Sequence, residues 1–155
     1  MVLDKSTLAV LNNFRGINTA ILLRPGNKIH TLSSTASVLA SATVPDKFPF
    51  EAGFFDLPKF LALISAFGEP DVVFEEKFVT IDGGEKGKVR YVYNDLDVLE
   101  PYVTLGQGAV VSYPEDLEVE IADEEIKFNL TWDVISQALK VAKILELPTI
   151  TFKSE

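Results

Sequence analysis

The chain has no cysteine and only one histidine, one methionine and one tryptophan in 155 residues. Without cysteine, neither a disulfide framework nor a thiolate metal site can form. The single histidine, His30, falls in a strand-like stretch with no nucleophile–histidine–acid pattern around it, and is read as structural or solvated. The string Gly83–Lys88, GGEKGK, lacks the spacing and the Ser/Thr of a phosphate loop and reads as a hairpin turn. No apolar run approaches the roughly 20 residues that span a bilayer. The opening MVLDKSTLAVLNNF carries acidic and polar groups where a signal peptide needs an apolar core. These absences predict a soluble, intracellular chain without catalysis, cofactor, metal or membrane partner.

Charge of one sign is also scarce. Lys and Arg number 14 against 23 Asp and Glu, a formal net charge of −9, which opposes binding to a polyanion over most of the surface. The distribution is uneven. Acids crowd Glu115–Glu125 and Glu69–Glu76. The first alternate with apolar residues and show no calcium-loop spacing, so a solvated acidic face is expected there rather than a metal site. Two helix-like stretches run the other way: Lys5 and Arg15 outnumber Asp4 in one, and Lys140 and Lys143 outnumber Asp133 in the other.

With 47% hydrophobic residues the composition is that of a folded domain. The first helix is predicted to begin at Asp4 or Ser6, both good N-caps. At 100° per residue Leu3, Thr7, Val10, Leu11 and Phe14 share a face, with Lys5 and Asn12 opposite and Arg15 on the flank. Gly16 and Asn18 are expected to end it in left-handed geometry. Short strands follow over 19–23, 28–33, 38–44 and 48–55. Asp56 and Pro58 then open a second helix whose apolar stripe is Leu57, Phe60, Ile64 and Phe67, with Lys59, Ala62 and Ala66 on its other side. Strands over 72–76, 78–82 and 89–93 come next, then an irregular stretch over 94–107, a returning strand over 109–112 and an acidic connecting strand after 113. A third helix places Thr131, Ile135, Ala138, Leu139 and Ala142 on its apolar face, Lys140 opposite and Lys143 on the border.

Ser6–Leu23 and Thr131–Phe152 read as two copies of one unit. Setting Leu11 on Leu139 places Phe14 on Ala142, Arg15 on Lys143 and Ile17 on Leu145. Each copy is an amphipathic helix leading through a turn into an apolar strand. Such self-similarity predicts a duplicated domain, with 1–112 a first domain, 113–130 an acidic connector and 131–155 an incomplete second domain.

Leu3, Thr7, Leu11, Asn13, Phe14, Ile17 and Asn18, followed by an apolar strand, resemble the start of the sliding clamps of T-even-type bacteriophages. Phe54–Ile64, FFDLPKFLALI, resembles the next helix of that family. The likeness runs from about residue 3 to the end and is weak over 93–126. It implies an α+β clamp fold: antiparallel sheets with two helices on one face, followed by a partial second copy cut short in its second domain. It further implies a non-catalytic processivity factor that encircles duplex DNA as a homotrimer, tethers a DNA polymerase and is opened by a clamp-loader ATPase, in the cytoplasm of the infected bacterial host. On that likeness Lys5, Asn12, Arg15, Lys59, Lys140 and Lys143 are the candidate DNA-facing positions, Asn12 standing where a basic residue is expected. The alternative is an acidic protein–protein adaptor with a clamp-like fold that does not touch DNA.

Overall fold

The computed structural model describes residues 1–35, 37–103 and 129–152. The chain divides into two compact units, Met1–Leu117 and Glu118–Glu155. The strand expected over 109–112, the 112/113 boundary and the acidic connector up to residue 128 lie outside the described residues.

In the first unit α1 (Lys5–Phe14) starts where the Asp4 side chain accepts the Ser6 amide at 2.7 Å. It buries Thr7, Leu11 and Phe14, with Leu3 just ahead. Its end differs from expectation, because neither Gly16 nor Asn18 takes left-handed backbone. The Ile17 and Asn18 amides instead donate to the Phe14 carbonyl. The Asn18 side chain then pins the turn, accepting from the Ala20 amide at 2.9 Å and donating to the Leu32 carbonyl at 2.7 Å.

The strands are antiparallel. β1 (Ile21–Leu23) pairs with β4 (Ala52–Phe54), Ile21 opposite Phe54. β2 (Gly26–Leu32) pairs with β3 (Leu39–Phe48), Lys28 opposite Thr43 and Leu32 opposite Leu39. A bulge at Gly26, where φ is 117°, shifts the register. β3 continues through Pro45 rather than stopping at Val44. It pairs on one side only among the described residues, and a proline is tolerated on such an edge. The strand expected over 48–55 accordingly shrinks to β4.

α2 (Leu57–Phe67) opens with Asp56 accepting the Lys59 amide at 2.9 Å and Pro58 in the first turn. It buries Leu57, Phe60, Leu61 and Ile64, while Phe67 is only half-buried. At its other end Gly68 takes φ 89° and the Lys86 ammonium donates to the Phe67 carbonyl at 3.1 Å, a cation where helix carbonyls lack partners. β5 (Asp71–Phe74), β6 (Phe78–Asp82) and β7 (Lys88–Val92) form a meander. Its register sets Asp71 opposite Asp82. That repulsion is offset because the N-terminal ammonium pairs with Asp71 and Lys88 pairs with Asp82 at 3.1 Å.

The stretch expected to be irregular over 94–107 begins with a helix, α3 (Leu96–Val103). Asp95 caps it, accepting the Asp97 amide on its side chain and the Val98 and Leu99 amides on its carbonyl. Leu99 is fully buried beside Ala20 and anchors this helix.

In the second unit α4 (Trp132–Ile144) follows Thr131. Only part of the expected apolar face is covered. Ala142 is buried and Ile135 and Ala138 are half-buried, but Thr131 is exposed and Leu139 is 52% exposed. The helix closes with the Leu147 amide on the Ala142 carbonyl at 2.8 Å and Glu146 at φ 52°. This is the geometry that usually takes glycine. Residues 147–152, expected to enter a strand, form none.

Two stability predictions follow from these details. Thr7 is fully buried and its hydroxyl has no hydrogen-bond partner among the described residues. Thr7→Val removes that unsatisfied group at nearly constant shape and is expected to raise unfolding free energy by about 1 kcal/mol in urea titration. Glu146→Gly relieves a left-handed β-carbon and is expected to stabilise α4 by about 1 kcal/mol, read as higher helix content on heating.

Candidate nucleic-acid interface

Burial decides what the helices present. With Thr7, Leu11 and Phe14 turned inward, α1 exposes Lys5, Ala9, Asn12 and Asn13, and Arg15 just beyond its end. With Leu57, Phe60, Leu61 and Ile64 turned inward, α2 exposes Lys59, Ala62, Ser65 and Ala66. The helices are neighbours, the start of α1 lying beside the end of α2. The Lys5 ammonium at the start of α1 lies 3.7 Å from the Glu69 carboxylate just past the end of α2. An open cleft of about 450 Å³, lined in part by Leu8 and Ile64, separates those ends.

The Lys5–Glu69 pair is almost fully solvated, with side chains 91% and 73% exposed. Pairs of that kind contribute at most about 1 kcal/mol, so Lys5 can exchange Glu69 for another anion at little cost. The Asn12 amide turns back to donate to the Leu8 carbonyl at 2.8 Å, which engages part of its donor capacity within α1. Hydrogen bonds from the Ser6 hydroxyl and amide hold the Asp4 carboxyl below its ordinary range. The Asp4 carboxylate offsets the positive end of the helix dipole at the start of α1, leaving the side-chain cations as the groups that can meet phosphate.

The structure therefore brings Lys5, Asn12, Arg15 and Lys59 onto the exposed surfaces of two adjacent helices. Lys140 and Lys143 are also exposed, on α4 of the second unit. The residues that sequence reasoning passed over are Glu69, the counter-ion of Lys5, and the exposed neutral donors Asn13 and Ser65. The last two carry no charge signal, but they are legible on the same helical wheels.

Beyond Asp4, perturbed protonation is found away from the exposed faces of these helices. Burial pushes the Tyr93 hydroxyl up to about 12. Among the described residues no cluster of three or more His, Cys, Asp or Glu could hold a metal, and no helix is long and apolar enough to cross a membrane.

This arrangement defines a class: a mixed α/β protein with antiparallel sheets and two adjacent helices, α1 and α2, whose exposed faces are small-residued and sparsely cationic. The chain is 30% identical over all 155 residues to the sliding clamp of Vibrio phage KVP40 and 38% identical over all 155 to that of Escherichia phage RB69, covering 66% and 63% of those proteins. It is 27% identical over 150 residues, 97% of its length, to the sliding clamp of Enterobacteria phage T4, covering 60% of it. No protein-family model matches. The chain belongs to the sliding-clamp family, and it spans just under two thirds of the length of these relatives.

His30, set aside on sequence grounds, is half-buried in β2, and its pKa is lowered first by that burial and then by the charges of Arg24 and Lys28. A histidine more easily protonated unfolded than folded stabilises the fold above its ordinary value of about 6.5, and this is lost as pH falls through the lowered folded value. Unfolding free energy is therefore expected to decline from pH 7 toward pH 5, above the carboxylate range. The decline should be shallower in His30→Gln, as measured by urea titration at each pH.

Proposed function

We propose that the chain acts as a sliding clamp, or as the first part of one, closing around duplex DNA and tethering a DNA polymerase to it. The observation that carries this reading is the pair of adjacent helices, α1 and α2, with Lys5, Arg15 and Lys59 turned away from the core. In this reading the two helices share one face of the sheets and line the DNA path. Asn12 thins the charge at mid-helix, and α4 belongs to a second, partial copy of the same unit that contributes Lys140 and Lys143. First copy, connector and second copy would divide near residues 112 and 130. Three subunits would complete a ring that a clamp-loader ATPase opens, in the cytoplasm of the infected host. The role needs no catalysis.

Physical chemistry supports the assignment. A ring that slides must attract phosphates without reading bases, since base contacts would fix it in place. Sparse cations among alanines meet that need. The surrounding negative charge repels DNA from the rest of the surface and leaves the helices as the favoured approach.

Each phosphate contact releases condensed counterions, so binding to duplex DNA should weaken with salt. Arg15→Ala and Lys59→Ala are each expected to flatten the slope of log K against log salt by about 1. Glu85→Ala, in the hairpin turn, should leave it unchanged. Anisotropy titrations of a labelled duplex at several salt concentrations measure this. A slope insensitive to both helix substitutions would count against the assignment.

A further inference from the structure

One long stretch of this acidic chain holds no acid. Between Asp4 and Asp46 there is no Asp or Glu, although the chain carries 23 of them. The stretch includes all of β2 and most of β3.

Register decides which of its side chains share a face. Lys28 stands opposite Thr43 and His30 opposite Ser41. Residues paired in this way project to the same side of a sheet, with β-carbons about 5 Å apart. The intervening Ile29, Ala40 and Ala42 take the other side and pack into the core that holds Leu11 and Phe14 of α1. Lys28, Ser41 and Thr43 are accordingly exposed, and His30 is half-buried. The one carboxylate on these two strands, Asp46, is engaged at the start of α1, where it accepts the Asp4 amide at 2.8 Å.

The exposed face of the pair thus sets an amine, an imidazole and two hydroxyls side by side. The Arg24 and Lys28 charges both act on His30, so the guanidinium adds to the same positive field. Arg24, Lys28 and His30 each keep another interaction within the chain. Ammonium and guanidinium groups carry several N–H donors, so an anion can be taken beside those contacts. Two residues along a strand span roughly 7 Å and neighbouring strands lie about 5 Å apart. A patch of that size fits one phosphate group and is too small to follow the backbone of a duplex.

We propose that the exposed face of the β2–β3 pair is a binding site for a single phosphate dianion, free or at the end of a phosphomonoester, held by Lys28, His30, Ser41 and Thr43 beside Arg24. The cations supply charge-assisted hydrogen bonds to the phosphate oxygens, and the hydroxyls donate to the oxygens that remain. A carboxylate, with two oxygens and a single charge, engages fewer of these donors. The proposal is independent of the DNA-facing assignment, since the two use different elements.

His30 is the only histidine of the chain, so its ring protons report on the site without overlap. The test titrates the ¹⁵N-labelled 155-residue chain, at fixed ionic strength, with inorganic phosphate, with acetyl-Gly-phosphoserine-Gly-amide and with sodium acetate. Both phosphates should give saturable shifts at residues 28–30 and 41–43 and in the His30 ring, and acetate little change. Peptide binding no tighter than that of inorganic phosphate would make free phosphate the ligand, and tighter binding would make it a phosphorylated side chain. Saturating phosphate should also raise the His30 pKa, because the dianion offsets Arg24 and Lys28. In Lys28→Gln both phosphates should bind about five-fold more weakly, as for one solvated ion pair. Lys77→Gln, which removes the same charge from the β5–β6 turn, should match the parent chain, and unchanged amide spectra away from β2 and β3 establish that the variants are folded. Absent or scattered shifts, an equal response to acetate, an unmoved His30 pKa, or unaltered affinity in Lys28→Gln would each overturn the proposal. A short duplex DNA that shifted residues 28–30 and 41–43 more than phosphate does would assign the face to nucleic acid and overturn it as well.

Discussion

The contact between Phe60 of α2 and Phe54 of β4, ring centroids 4.4 Å apart, holds the first unit together. Tyr91 and Tyr93 pack on the same Phe54 ring at 5.5 and 5.6 Å, which ties the β5–β6–β7 meander to the β1–β4 pair. Phe48 meets Phe74 edge-on at 5.2 Å and joins β3 to β5. Aromatic pairs at these separations add to the area they bury. Once Phe60 is fixed inward, the 3.6-residue period leaves Lys59, Ala62 and Ala66 no choice but to face out. The same logic, through Leu11 and Phe14, sends Lys5 and Asn12 outward on α1. The surface proposed to meet DNA is thus a consequence of core packing.

That origin accounts for its character. A surface left over from packing two amphipathic helices is smooth where the residues are small and charged only at intervals. Such a surface suits weak, sequence-independent contact with a regular polyanion. The capped, anionic Asp4 at the start of α1 and Glu69 beside Lys5 show that even here the positive charge is moderated. An acidic chain with moderated cations would hold DNA loosely, which is what movement along it requires.

Much of this was legible in the sequence, and the reasons are local. Leu3, Thr7, Leu11 and Phe14 repeat at helical spacing, and Asp56 with Pro58 announces α2, so both helices and their outward residues could be read directly. The errors fell where tertiary contacts override local signals. The strand expected over 38–44 runs on through Pro45, which an edge position accommodates, and the stretch expected to be irregular over 94–107 opens with a helix that buries Leu99. Gly16 and Asn18 offered left-handed geometry that the chain does not use, whereas Glu146, an unlikely residue for it, does. The pairing of Lys5 with Glu69 depends on segments far apart in sequence meeting in space, and no periodicity reports such meetings. The likeness of the two helical copies was also visible, but α4 shares the spacing of α1 without the same burial.

The most direct measurement is a ¹⁵N chemical-shift titration of this chain with a short duplex DNA at low salt. The account predicts that perturbed amides cluster on the outward faces of α1 and α2, around Lys5, Asn12, Arg15 and Lys59, and that they recover as salt is raised. Perturbations on the outer faces of β2, β3 or the meander, with α1 and α2 unmoved, would contradict it.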